Sequence, residues 1–140
     1  MSLFHNVSGI VYLELGDLEN AQRITDEALR LSIKNKENDV EGLIYLTLGR
    51  IKGMCVSQQT EEVEKCFQKG MAILSDLGMA PYCATGHQFL GEYYLEAGCF
   101  EKAIQSLQQA AAIFSTMGME YWLQRNREKQ SFFESGKVIS

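Results

Sequence analysis

A segment in the second half of the chain recurs near its beginning, and this repetition constrains the fold more than any other feature. Residues 90–112 read LGEYYLEAGCFEKAIQSLQQAAA. Subtracting 82 from the residue numbers matches glycines, tyrosines and alanines with earlier ones: Gly91 with Gly9, Tyr94 with Tyr12, Gly98 with Gly16, Ala103 with Ala21, and Ala110 with Ala28. Several matches at one offset indicate a chain built from repeated supersecondary units.

A third unit lies between these two. Gly49 follows Gly9 by 40 residues and precedes Gly91 by 42. We therefore predict repeats over about 3–38, 39–78 and 79–118, a capping helix over 119–133 and a frayed tail over 134–140. Two extra residues in the middle repeat are placed in the loop around 56–60. The whole of 1–133 is expected to form a single domain.

Each repeat is predicted to contain two helices, because apolar residues recur at helical spacing and turn residues separate them. Gly16 and Asp17 end the first helix and begin the second, since Asp is a favoured N-cap. Asp39 is predicted to cap the third helix. Gly70 stands inside the fourth helix where the other repeats have alanine, which indicates close contact with a neighbouring helix. An all-α protein with about seven helices follows.

The composition excludes several classes of function. The chain of 140 residues has a formal net charge of −5 and no dense cluster of Lys and Arg, so we expect no nucleic-acid partner. No run approaches 18 apolar residues, so neither a membrane span nor a signal peptide is expected. The four cysteines form no CxxC pair and are typical of core positions in a reducing cytoplasm. The opening Met-Ser-Leu suggests a fragment excised from a longer protein.

The Gly–x–x–Tyr pattern, the glycine at the turn and the two alanines seven residues apart resemble the tetratricopeptide repeat (TPR). This resemblance implies a right-handed superhelical array of antiparallel helix pairs, a TPR-like α-solenoid of three repeats with a C-terminal capping helix. The chain departs from the usual repeat of about 34 residues, because its units are longer and lack the closing proline. Lys52 also replaces the tyrosine of the middle unit.

The long spacing is similar to the TPR regions of bacterial signal-transduction ATPases and of maltose-regulator-type transcriptional activators. Residues 74–123 more narrowly resemble the C-terminal repeats of multidomain bacterial proteins. Those proteins join a class III adenylate or guanylate cyclase or a kinase domain to an AAA-type ATPase. The resemblance implies that any such chemistry belongs to other domains of a cytoplasmic parent protein.

The resemblance to the TPR implies that the first helices of the repeats line a concave groove. Its candidate binding residues are Asn6, Leu13, Glu14, Arg50, Gln88, Glu92 and Glu96, together with the apolar Ile10, Met54 and Leu95. Gln88, Glu92 and Glu96 are interpreted as outward-facing. The acidic balance favours a basic or amphipathic helical segment as partner. The alternatives are a groove that is merely solvated or one filled by neighbouring parts of the chain.

Two residue pairs offer alternatives to a binding role. Cys83 and His87 are four residues apart on one helix, as two metal ligands would be. Glu92 and Glu96 have the same spacing, but a catalytic pair would also need a pocket that shifts a pKa. No phosphate-binding loop or nucleophile motif accompanies them. We therefore predict no catalytic, metal or cofactor site and no enzymatic activity.

The leading functional hypothesis is a non-catalytic scaffold that binds a protein or peptide, or another domain of its parent protein. A second hypothesis is self-association, in which the first helix or the Trp122 cap pairs with another copy to give a homodimer. A metal-binding or enzymatic domain built on Cys83, His87 and the acidic face is the remote alternative.

Overall fold

Helices account for almost all of the chain. A computed structural model describes the backbone of residues 1–55 and 60–139, with side chains up to residue 131, and contains no strand in this part of the chain. Its helices are α1 (Ser2–Glu14), α2 (Leu18–Lys34), α3 (Asn38–Met54), α4 (Thr60–Asp76), α5 (Ala80–Ala97), α6 (Phe100–Thr116) and α7 (Glu120–Ile139). The prediction of an all-α fold with about seven helices is confirmed for the described residues.

Helices that are adjacent in sequence pack as pairs, namely α1 with α2, α3 with α4, and α5 with α6. These pairs coincide with the three predicted repeats. The chain divides into two compact units, Met1–Met79 and Ala80–Ser140, so the division falls between the second and third repeats. The predicted superhelix and the single domain over 1–133 remain predictions.

The helix boundaries test the local signals in the sequence. Asp17 caps α2 as predicted, since its Oδ1 accepts a hydrogen bond from the Asn20 backbone N–H at 3.2 Å. The predicted cap of α3 is wrong, because Glu37 occupies the N-cap and Asp39 lies within the first turn. Helix α7 runs to Ile139 instead of ending near 133. The predicted two-residue insertion falls mainly on 56–59, outside the described residues.

Unit one is held together by close contacts at small residues. A Cβ on Gly49 would lie 2.8 Å from the ring of Phe67, and one on Gly70 would lie 2.8 Å from the Gly42 carbonyl oxygen. This close approach agrees with the packing role inferred for Gly70. Ala28 packs in the same unit against α3, in a cluster with buried Val40, Ile44 and Leu48.

Unit two repeats this arrangement and adds α7. A Cβ on Gly91 would lie 2.8 Å from the Leu107 side chain, so α5 approaches α6 as closely as α3 approaches α4. The indole of Trp122 stacks on Phe114, with ring centroids 5.7 Å apart. These contacts lie beside a buried cluster of Ala84, Ala110, Phe114 and Leu123, which fixes α7 against the α5–α6 pair.

Candidate functional site

The groove residues predicted in unit one are partly buried and partly paired with each other. Asn6 and Leu13 are only 4% and 3% exposed, so they face the interior of the α1–α2–α3 packing. Glu14 and Arg50 form an ion pair between α1 and α3, with Arg50 Nη2 2.7 Å from Glu14 Oε1. The Glu14 side chain remains 65% exposed and is the more accessible of the two.

The groove residues predicted in unit two differ in exposure. Gln88 is fully buried, which corrects its interpretation as an outward-facing residue. The Glu92 side chain is 15% exposed, whereas Glu96 lies at the exposed end of α5. Two of these three residues therefore face another helix, and only Glu96 has the exposure expected of a groove residue.

Gln88 and Glu92 belong to a hydrogen-bond network that joins α5 to α7. The amide of the fully buried Asn126 donates to Gln88 Oε1 at 2.8 Å and to the Leu107 carbonyl oxygen at 2.7 Å. Gln88 Nε2 in turn donates to Glu92 Oε2 at 2.7 Å. Arg125 completes the network as a fork, with Nε and Nη2 donating to the two Glu92 oxygens at 2.7 and 2.8 Å.

The electrostatics of this network favour its charged form. Burial alone would raise the pKa of Glu92, but hydrogen bonds from Arg125 and Gln88 outweigh it and lower that pKa overall. The hydrogen bonds that Arg125 donates to Glu92 likewise raise the pKa of Arg125. The guanidinium also lies 5.2 Å from the ring centroid of Phe89 and 5.6 Å from that of Trp122, within the range of cation–π attraction. Arg125 is therefore held by the carboxylate of Glu92 and by the rings of Phe89 and Trp122.

A shallow concavity of about 650 Å³ runs along the outer side of α7. Its described lining residues recur at helical spacing and are Glu120, Tyr121, Gln124, Arg125, Glu128 and Lys129. Tyr121 is 69% exposed, and its ring meets that of Trp122 edge-on at 5.5 Å. Sequence reasoning placed no groove residue on α7 and considered only Trp122 there, for self-association, although the paired spacing 120–121, 124–125 and 128–129 marks a single helix face.

The two residue pairs considered for chemistry have different surroundings. Burial raises the pKa of the Cys83 thiol and lowers that of His87, whose Nδ1 is buried without a hydrogen-bond partner among the described residues. The described residues contain no group of three His, Cys, Asp or Glu side chains placed to hold a metal ion. None of the described helices combines the length and the apolar character needed to cross a membrane.

Comparison with protein-family models gives no match, and comparison with curated proteins gives none. The resemblance to the tetratricopeptide repeat therefore depends on the glycine, tyrosine and alanine positions quoted above. The structure adds that Gly49 and Gly91 occupy close helix contacts within their respective pairs.

Proposed function

We propose that the chain is a non-catalytic protein-interaction module of the TPR type, belonging to a larger cytoplasmic signalling or regulatory protein of bacteria. The all-helical fold supports this proposal, as does the pairing of successive helices. The equivalent glycines at the helix contacts support it further. A helical repeat provides a rigid frame for binding, although the fold itself does not name a partner.

The observation that carries the proposal is the concavity along α7 in unit two. Its exposed Tyr121 and its fixed Arg125 are residue types enriched among the strongest contributors to protein interfaces. Arg125 is already held by Glu92, so its ordering costs little when a partner binds. Helix α7 therefore offers an exposed aromatic ring beside an arginine whose charge is already paired with Glu92.

The exposed carboxylates at the rim of the concavity favour a basic amphipathic helix as the partner. Arg125 pairs with Glu92, and the positive charge of Lys129 also contributes to the lowered pKa of Glu92. Glu120 and Glu128 are exposed at the rim of the concavity and remain available to lysine or arginine side chains. The ring of Tyr121 provides the apolar contact for the other face of such a helix.

The single tryptophan of the chain makes this proposal directly measurable. Trp122 lies against Tyr121, so a segment bound in the concavity should change the indole emission. We expect a saturable change on titration with a synthetic basic amphipathic helical peptide built from lysine and leucine. A peptide of the same length with glutamate in place of lysine should bind much more weakly, because Glu120 and Glu128 repel it.

Matched tyrosine variants locate the binding surface. Tyr121→Ala should lower the affinity for the basic peptide by about tenfold or more, since loss of an aromatic anchor costs more than about 1 kcal/mol of binding free energy. Tyr82→Ala is the control, because Tyr82 is also exposed in unit two but lies on α5, outside the lining of the concavity. No saturable response from the folded protein, or equal weakening by both variants, would refute the α7 surface.

The groove predicted from sequence changes its role in this proposal. Gln88 and Glu92 support α7 from beneath through Asn126 and Arg125. A charge reversal such as Glu92→Lys would therefore disturb the helix contact as well as any binding. Substitutions at Glu120 and Glu128, which line the concavity outside this network, separate the two effects.

A further inference from the structure

The first helix carries an apolar face that its own unit leaves exposed. Five large apolar side chains on this face are each at least half exposed: Leu3, Phe4, Val7 and Val11 of α1, and Leu15, which directly follows the helix. Exposed contiguous apolar surface of this kind marks interaction sites on soluble proteins. The face lies in unit one and is independent of the concavity along α7.

Four of these five residues form a row that matches its own reverse. Leu3, Val7, Val11 and Leu15 recur every four residues, and the row is symmetrical about position 9. The row spans about 18 Å at the rise of an α-helix. Two such helices packed antiparallel bring Val7 of one copy opposite Val11 of the other. An identical surface on both copies is the requirement of a two-fold symmetric interface.

The corresponding face of α3 shows that these positions suit helix packing. The 40-residue offset between Gly9 and Gly49 matches Phe4 with Ile44 and Val11 with Ile51. Both α3 residues are fully buried. Ile44 packs in a cluster with Ala28, and Ile51 packs in one with Leu13 and Ala21, so this face of α3 is covered by α1 and α2. The same face of α1 has no such cover among the described residues of unit one.

Charge does not oppose the approach of a second copy. Helix α1 has only one acidic and one basic side chain, Glu14 and His5. His5 Nδ1 lies 2.7 Å from the Met1 carbonyl oxygen, and Glu14 is compensated by Arg50 at 2.7 Å. Two copies can therefore bring these helices together without opposing unpaired like charges.

We propose that two copies of the chain associate through the exposed faces of α1, packed antiparallel about a two-fold axis. An interface made mainly by one helix from each copy lies at the small end of the range for specific complexes. The dimer is therefore in measurable equilibrium with the monomer. Dilution separates it, and concentration restores it.

Sedimentation equilibrium over a wide concentration range tests the dimer. The mean mass of the wild-type chain should rise from monomer towards dimer with concentration. Val7→Lys combined with Val11→Lys should abolish the rise, because lysines then face lysines. Ile33→Lys is the control, since Ile33 is similarly exposed but lies on α2, and it should associate as the wild type does.

A charge-swapped variant tests the antiparallel arrangement itself. Val7→Lys combined with Val11→Glu places opposite charges across the interface, so this variant should dimerise where the double-lysine variant does not. All substitutions lie at exposed sites, and unchanged urea unfolding would show that each variant folds. A wild-type chain that stays monomeric at every concentration would overturn the proposal. Equal loss of association in the charge-swapped and double-lysine variants would also overturn it. Neither result bears on peptide binding at α7.

Discussion

Asn126→Ala is the most informative perturbation of the contact between α5 and α7. The substitution removes the donor to Gln88 Oε1 and to the Leu107 carbonyl oxygen, two acceptors that then remain in the interior. A buried polar group left without a partner costs about 1–3 kcal/mol. The Leu107 carbonyl keeps its hydrogen bond within α6, so the loss at Gln88 Oε1 dominates and should lower the free energy of unfolding by about 1–3 kcal/mol.

Urea unfolding followed through Trp122 emission measures this loss, because the indole stacks on Phe114 in the folded state. Gln124→Ala is the control on the same helix, since Gln124 is exposed and its amide lies 3.4 Å from Glu128 Oε1. It should change the free energy of unfolding by no more than about 0.5 kcal/mol. An equally small effect of Asn126→Ala would refute the role assigned to the buried network.

Four further predictions concern helix contacts, a turn and acid stability. Gly91→Ala should destabilise by about 1–3 kcal/mol in urea unfolding, because the new Cβ would lie 2.8 Å from Leu107; no loss would contradict this close contact. Lys36→Gly should raise the free energy of unfolding by about 0.5–1 kcal/mol, because Lys36 has a φ of 56° and a non-glycine residue in this left-handed region costs about 1–2 kcal/mol. Part of this gain is lost because glycine increases the conformational entropy of the unfolded chain. A lower urea midpoint would contradict this. Because the pKa of Glu92 is lowered in the folded state, its contribution to stability is complete above about pH 4.5 and is lost as the pH falls through the folded-state pKa. Glu92→Gln should therefore flatten the dependence of the free energy of unfolding on pH below about 4.5. Burial lowers the pKa of His87, so the unfolded state binds its proton first and stability falls below about pH 6.5; His87→Leu should remove this decline, and an unchanged profile would contradict it.

The helix pairs were predictable because small residues recur at equivalent places. Gly49 and Gly91 lie where a neighbouring helix leaves no room for a Cβ. The need for a small residue is visible in the sequence as a glycine at a fixed spacing. Asp17 was predictable as a cap for a local reason, since its partner is the backbone three residues ahead. Such signals involve either repetition or neighbours in the chain.

The buried polar network was not predictable in the same way. A glutamine on a helix is usually solvated, and nothing near Gln88 in the sequence indicates otherwise. Its buried partner, Asn126, is 38 residues away. Glu92 was interpreted as part of an acidic groove. Its pairing with Arg125 could not be foreseen, because it depends on where α7 packs. The outer face of α7 was overlooked for a related reason, since a helix with many charged residues resembles a solvated cap.

Residue-resolved NMR tests whether the outer side of α7 binds a partner helix, as proposed. A basic amphipathic peptide titrated into ¹⁵N-labelled chain should produce saturable shifts concentrated on the outer face of α7 between 120 and 129, with Tyr121 and Arg125 among the most affected. The amides of α2 should stay unchanged. Saturable shifts centred outside α7, or no saturable shift from the folded chain, would contradict binding at α7.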